Sequence, residues 1–90
     1  MKISFARSAT KHRVSRVAAA HVILRADRWI EEPPPSDGEH RSVRRLYVGR
    51  DPAGRLLEVM AVERDDGSVL IIHAMSIRSR TLKKWRESNR

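Results

Sequence analysis

Ninety residues carry 19 Lys and Arg against 11 Asp and Glu, a formal net charge of +8, and no cysteine. That length allows one small domain, residues 1–90, with one modest core; without cysteine there is neither a disulfide framework nor a thiolate metal site, which fits a reducing cytoplasm. The charge points to an anionic partner, nucleic acid first, with an acidic protein surface or plain solubility as the other readings.

From the N-terminus, Met1 to Phe5 runs directly into the polar Arg7, Ser8 and Thr10 without a signal-peptide pattern. Every later apolar run falls well short of the roughly 20 residues that a membrane helix needs. Lys2 to Phe5 alternates weakly, as a short first strand does, and Ala6 to His12 can form a first short helix. Ser15 is a good N-cap for a second helix reaching about Ala26, with Val17, His21 and Leu24 at helical spacing and Val14 placed as a hydrophobic staple. Arg28 to Ile30 reads as a brief strand. The segment 31–40, with Pro33-Pro34-Pro35 and Gly38, bars both helix and paired strand and forms an internal loop.

Val43 to Met75 reads as a three-stranded meander. Asp66-Gly67 is a strong hairpin signal, because a two-residue turn with positive φ suits Asp-Gly. Counting back from that tip pairs Asp65 with Ser68, Met60 with His73 and Glu58 with Met75. Asp51-Pro52-Ala53-Gly54 suits a four-residue loop closed at Arg50 and Arg55, which sets Tyr47 opposite Glu58 and Arg45 opposite Met60. Alternation then gives a core face of Leu46, Val48, Leu57, Val59, Ala61, Leu70, Ile72 and Ala74. The other face carries Arg45, Tyr47, Glu58, Met60, His73 and Met75, with Leu56, Val62, Val69 and Ile71 around them. One residue more or less in the first loop flips Arg45 and Tyr47. A last helix, capped by Ser79 or Ser76, reaches about Asn89; Arg78, Leu82 and Trp85 share one side of it, and Lys83 and Lys84 belong to its basic remainder. The expected layout is α+β: an antiparallel sheet, made of the three-stranded meander Val43–Met75 and one or two short N-terminal strands, with two N-terminal helices and a C-terminal helix.

Lys11-His12-Arg13-Val14-Ser15 resembles the Lys-His-x-Val-Ser between the first two helices of BrnT-like toxins. These are ribonuclease members of bacterial type II toxin–antitoxin modules, within the wider RelE-like superfamily. Arg45 to Arg50, Gly54-Arg55-Leu56-Leu57, and Val69-Leu70-Ile71-Ile72 with the Arg-rich tail are similar to that family's meander, so the resemblance spans Lys11 to about Glu87. It implies a RelE/BrnT-like toxin that cleaves RNA, free or on the ribosome, without metal or cofactor, and is neutralised by a cognate antitoxin. Matched residue by residue, it implies Lys11, His12, Arg45 and either Arg78 or Arg80 as site residues. Where the family carries Ser-Ala-Arg after the last strand, this chain has His73-Ala74-Met75, and its proline-rich loop also departs from the family norm.

RNA cleavage by 2′-hydroxyl attack needs a base, an acid for the leaving 5′-oxygen, and cations for the phosphorane charge. Glu58 and His73, diagonal neighbours in the expected register, supply base and acid in either order. Arg45, Arg78 and Arg80 hold the phosphate, Lys11, His12, Lys83 and Lys84 bind RNA, and Tyr47 stacks on a base or donates a proton. Structural readings compete. Glu58 can simply pair with Arg45 across the strands, His73 can bond a backbone group, and His12 can serve a helix end. His21 reads as a core or boundary residue, His40 as a loop residue, and Leu82 and Trp85 as packing residues. The histidines have no zinc-ligand spacing. A basic nucleic-acid-binding module without catalysis, or an inactive toxin relative that binds an acidic partner, are the alternatives.

Overall fold

The expected meander forms the middle of a larger sheet in the computed structural model, which describes residues 2–26, 28–33 and 43–88. Strands β1 (Ile3–Phe5), β2 (Ile30–Glu32), β3 (Arg44–Arg50), β4 (Leu56–Glu63) and β5 (Val69–Ser76) lie in the order β1-β5-β4-β3-β2. A 3-10 turn (Arg7–Thr10) follows β1, α1 (Arg16–Arg25) precedes β2, and α2 (Ser79–Ser88) follows β5. The expectation of an antiparallel sheet with two N-terminal helices is overturned. The sheet is mixed and five-stranded, because β1 runs parallel to β5, with Ile3 beside Val69 and Phe5 beside Ile71.

The first expected helix is reduced to the 3-10 turn because the segment is tied to the sheet by backbone and side chain: Ala6 N–H donates to Ile71 O at 2.9 Å, and the Ser8 hydroxyl to Ile72 O at 2.7 Å. Arg13 then turns the chain toward α1 in the left-handed region, at φ 61°, a conformation that costs a non-glycine residue roughly 1–2 kcal/mol. Ser15 caps α1 as expected, its Oγ accepting from Ala18 N–H at 3.1 Å. The buried stripe is Ala18, Ala19, Val22 and Ile23, with Val14 beside the cap, whereas Val17 and Leu24 are 75% and 63% exposed. The small Ala18 and Ala19 let α1 approach the sheet so closely that a Cβ at Gly49 would stand 3.3 Å from Val22 Cγ1. The brief strand expected at Arg28–Ile30 lies at Ile30–Glu32, paired with Arg44–Leu46, so Glu31 belongs to the sheet rather than the loop. The rest of the proline-rich loop from Pro34, with His40, lies outside the described residues, as does Asn89.

Both hairpins depart from the expected count by one residue. Asp51 is buried and binds its own loop, with Oδ1 accepting from Ala53 N–H at 3.0 Å and from Arg55 N–H at 2.8 Å. Arg55 is thereby held in the loop, Arg50 pairs with Leu56, and Leu46 and Val48, not Arg45 and Tyr47, lie opposite Met60 and Glu58. At the other tip, Gly67 takes φ 83° after a turn closed by Gly67 N–H to Arg64 O, and Glu63 pairs with Val69. That offset is undone by a bulge: Ala61 pairs with Ile71 but Met60 with His73, leaving Ile72 as the extra residue. Beyond the bulge, Met60–His73 and Glu58–Met75 stand in the expected register.

These shifts redistribute the faces. Tyr47, Leu57, Val59, Ala61, Val69, Ile71 and Ala74 form the core with α1. Tyr47, Val69 and Ile71 were expected on the other face; Leu46, Val48, Leu70 and Ile72, expected in the core, are not in that cluster. The second face carries Leu46, Glu58, Met60 and His73 on the side of α2. Neither candidate serine caps α2. Ser79 is its first residue, Ser76 ends β5, and Arg78 holds the preceding position, its carbonyl accepting from Leu82 N–H at 3.0 Å. The far end of α2 is strapped by Arg28, whose guanidinium lies 3.6 Å from the Trp85 ring centroid and bonds Ser88 Oγ at 2.8 Å. Among the described residues no helix is long and apolar enough to cross a membrane.

Candidate active site

Glu58 is completely buried in the middle of β4, where only a fully bonded carboxylate is tolerable. Arg78 supplies most of the bonds. Its Nε and backbone N–H both donate to Oε1, at 3.0 and 2.9 Å, and its Nη2 donates to Oε2 at 2.7 Å. This two-pronged ion pair stands at the start of α2, where helix amides also favour negative charge. Burial works to raise the pKa of Glu58, but the guanidinium and backbone bonds from Arg78, with the buried Thr81 hydroxyl, outweigh it and bring the pKa down to about 2. The bond to Glu58 raises the pKa of Arg78 in turn. The pair is therefore ionised at any ordinary pH.

His73 completes the carboxylate's coordination, with Nε2 3.2 Å from Glu58 Oε2. An ionised carboxylate only accepts, so this contact puts the proton of the neutral ring on Nε2 and leaves the lone pair on Nδ1. Burial lowers the pKa of His73; Glu58 opposes that shift, while Arg78 and His12 reinforce it. The side chain keeps 21% of its surface exposed, so one edge of the ring can meet a ligand. His12 faces it edge-on, with ring centroids 5.6 Å apart and planes at 69°. The pairing of β1 with β5 brings the two rings together. The 3-10 turn is fastened to Ile71 and Ile72, next to His73, and delivers His12 two residues after its own end.

Four of the expected site residues, Glu58, His73, Arg78 and His12, thus converge. Lys11 lies exposed beside His12. Arg45 does not join them: it pairs with Glu63 and covers the Trp29 ring, 4.2 Å from its centroid, so the alternative Arg45–Glu58 pair is also absent. Tyr47 is 3% exposed and lies against Trp29 in the core, where it cannot stack on a base. Arg80 and Lys84 border a separate cavity beside Glu58 and Arg78, with Lys84 paired to Glu32, while Lys83 faces a different groove with Ser79 and Arg86. Sequence reasoning missed Thr81, three residues after the Arg78 that opens the helix, and Arg44 and Glu32, which a correct β2–β3 register would have brought into view. Among the described residues no three His, Cys, Asp or Glu side chains are grouped to hold a metal ion. Comparison with protein-family models, with curated proteins and with solved structures gives no match to this chain.

Proposed function

We propose that the protein is an endoribonuclease that cleaves the phosphodiester by 2′-hydroxyl attack with protein groups alone, and that it acts as the toxin of a toxin–antitoxin pair in the cytoplasm. The observation that carries the chemistry is the pairing of two imidazoles, one of them oriented by a buried, ionised Glu58. His73 Nδ1 takes the proton of the 2′-hydroxyl; its lowered pKa keeps the ring neutral and ready as a base near neutral pH. The 2′-oxygen attacks phosphorus, His12 gives a proton to the departing 5′-oxygen, and the product is a 2′,3′-cyclic phosphate. Arg78 spends Nε and Nη2 on Glu58, which leaves Nη1 to stabilise the negative charge gathering on the phosphorane. Glu58 is a positioning residue, not the acid or base: it is shut away from substrate and its capacity is taken by Arg78 and His73.

The toxin role draws on the Lys11 to Ser15 resemblance and on the net charge of +8, which suits both RNA and an acidic antitoxin. Purified protein incubated with RNA is expected to yield 2′,3′-cyclic phosphate ends. His73→Gln and His12→Gln should each lower the rate roughly 10²–10⁴-fold without loss of fold. Glu58→Gln should weaken the rate and change its pH profile, because an amide no longer dictates the His73 tautomer. Unchanged cleavage in both histidine variants would overturn this mechanism, and the absence of cleavage and of growth arrest on expression would leave a basic nucleic-acid-binding module as the function.

A further inference from the structure

Beside the Glu58–Arg78 pair, between α2 and strands β2 to β4, lies a cavity of about 360 Å³. Its charged walls are Arg44, Arg78, Arg80 and Lys84 against Glu32 and Glu58. Both carboxylates are already engaged, Glu58 by Arg78 and Glu32 by Lys84. Arg44 and Arg80 make no ion pair among the described residues. Arg44 gives Nη2 to Pro33 O at 3.0 Å, but its Nε is buried without a hydrogen-bond partner among the described residues. A buried donor left open costs about 1–3 kcal/mol, and such a group in a native fold calls for an acceptor. Guanidinium groups are the side chains best shaped to grip a phosphate.

We propose that this cavity is a phosphate subsite, which holds the RNA backbone phosphate next to the scissile one on Arg44 and Arg80. This inference rests on the ribonuclease reading and extends it. Arg78 belongs to both places, since it lines the cavity and braces Glu58 against His73. The scissile phosphate lies on the histidine side of Glu58 and its neighbour on the arginine side. Substrate is then gripped at two successive phosphates and aligned before any base is read, which makes a single phosphodiester a poor ligand and a longer strand a good one.

The test uses non-cleavable 2′-O-methyl dinucleotides of uridine: one with the internal phosphate alone, one with an added 5′-phosphate and one with an added 3′-phosphate. Their affinities for the full chain are measured by calorimetry or NMR titration, with inorganic phosphate as competitor. One of the two added phosphates should tighten binding about tenfold, and Arg80→Gln, or Arg44→Gln with Arg80→Gln, should remove that gain, whereas His73→Gln should keep it. Arg80 is exposed, so its single variant leaves the fold intact. If the wild type cleaves RNA but neither added phosphate tightens binding, or the gain survives the arginine variants, the subsite is overturned and the ribonuclease stands. If the gain is present and arginine-dependent while RNA is not cleaved, Arg44 and Arg80 form a phosphate-binding site, but the ribonuclease reading falls and the role beside a scissile phosphate falls with it. Inorganic phosphate should abolish the gain in the wild type; a gain that resists it does not come from a phosphate site and overturns the subsite.

Discussion

The two faces of the sheet are made by the same strands, residue by alternate residue, yet they are closed in opposite ways. Toward α1, β4 and β5 present Leu57, Val59, Ala61, Val69, Ile71 and Ala74, which are met by Ala18, Ala19, Val22 and Ile23 in one apolar cluster. Toward α2, the same strands present Glu58 and His73, and the central contact is an ion pair to Arg78 beside an open cavity. Burying apolar surface needs no particular partner geometry, so the first face supplies stability. A buried carboxylate demands one geometry and penalises every other, so the second face fixes where a histidine and an arginine stand. The division leaves the apolar core on one face and the candidate site on the other.

The sharpest way to break this contrast is to remove one group from each face. Arg78→Ala leaves Glu58 buried without its cation and should cost about 3–5 kcal/mol at neutral pH. Ile71→Ala, a cavity in the other face, should cost about 2–5 kcal/mol. The two losses differ in kind. With Arg78 gone, burial raises the pKa of Glu58, so the Arg78→Ala protein should recover stability relative to wild type as the pH falls from 7 toward 5, and Ile71→Ala should not. Denaturant midpoints at both pH values decide the matter, and parallel pH responses in the two variants would show that Glu58 does not depend on Arg78.

Acid should open the polar face in two steps. His73 has a lowered pKa in the fold, so below the ordinary value of 6.5 the unfolded chain takes up a proton that the fold resists, and stability declines from there down to the folded pKa. Glu58 falls from 4.5 to about 2 on folding. Its contribution, about 3 kcal/mol, is fully present above 4.5 and lost as the pH drops through 2. Thermal melts across this range should show the upper decline disappear in His73→Gln and the lower one in Glu58→Gln. A wild type whose stability is flat from pH 6.5 to pH 3 would contradict both assignments.

How much of this was legible depended on whether the signal was local. The three long strands and Ser15's cap were, because alternation and capping are written in neighbouring residues. The register of β3 was not: whether Asp51 bonds the N–H of Arg55 decides a loop length, and that shift moved Arg45 and Tyr47 off the site. The relation of Glu58 to His73 was legible for an accidental reason, since the extra residue at the Gly67 tip is cancelled by the bulge at Ile72. The parallel pairing of β1 with β5 joins residues more than sixty positions apart and leaves no local trace. His12 stood out only through its short motif, and its place beside His73 follows from that pairing.

The smallest predicted effect separates the two ways of reading α1. Helical spacing alone favours Val17, His21 and Leu24 as a buried stripe, but a helix is oriented by the surface it must meet, and Gly49 leaves room for Val22 to come close. Small residues at 18 and 19 then face the sheet, and the larger Val17 and Leu24 turn outward. Val17→Ser and Leu24→Ser should each shift stability by no more than about 0.5 kcal/mol, while Ile23→Ala should cost about 2–5 kcal/mol. A large loss in either serine variant would mean that α1 is rolled onto the other stripe. If the protein cleaves RNA as proposed, the rate should follow none of these changes, because α1 packs on the apolar face of the sheet, opposite Glu58 and His73.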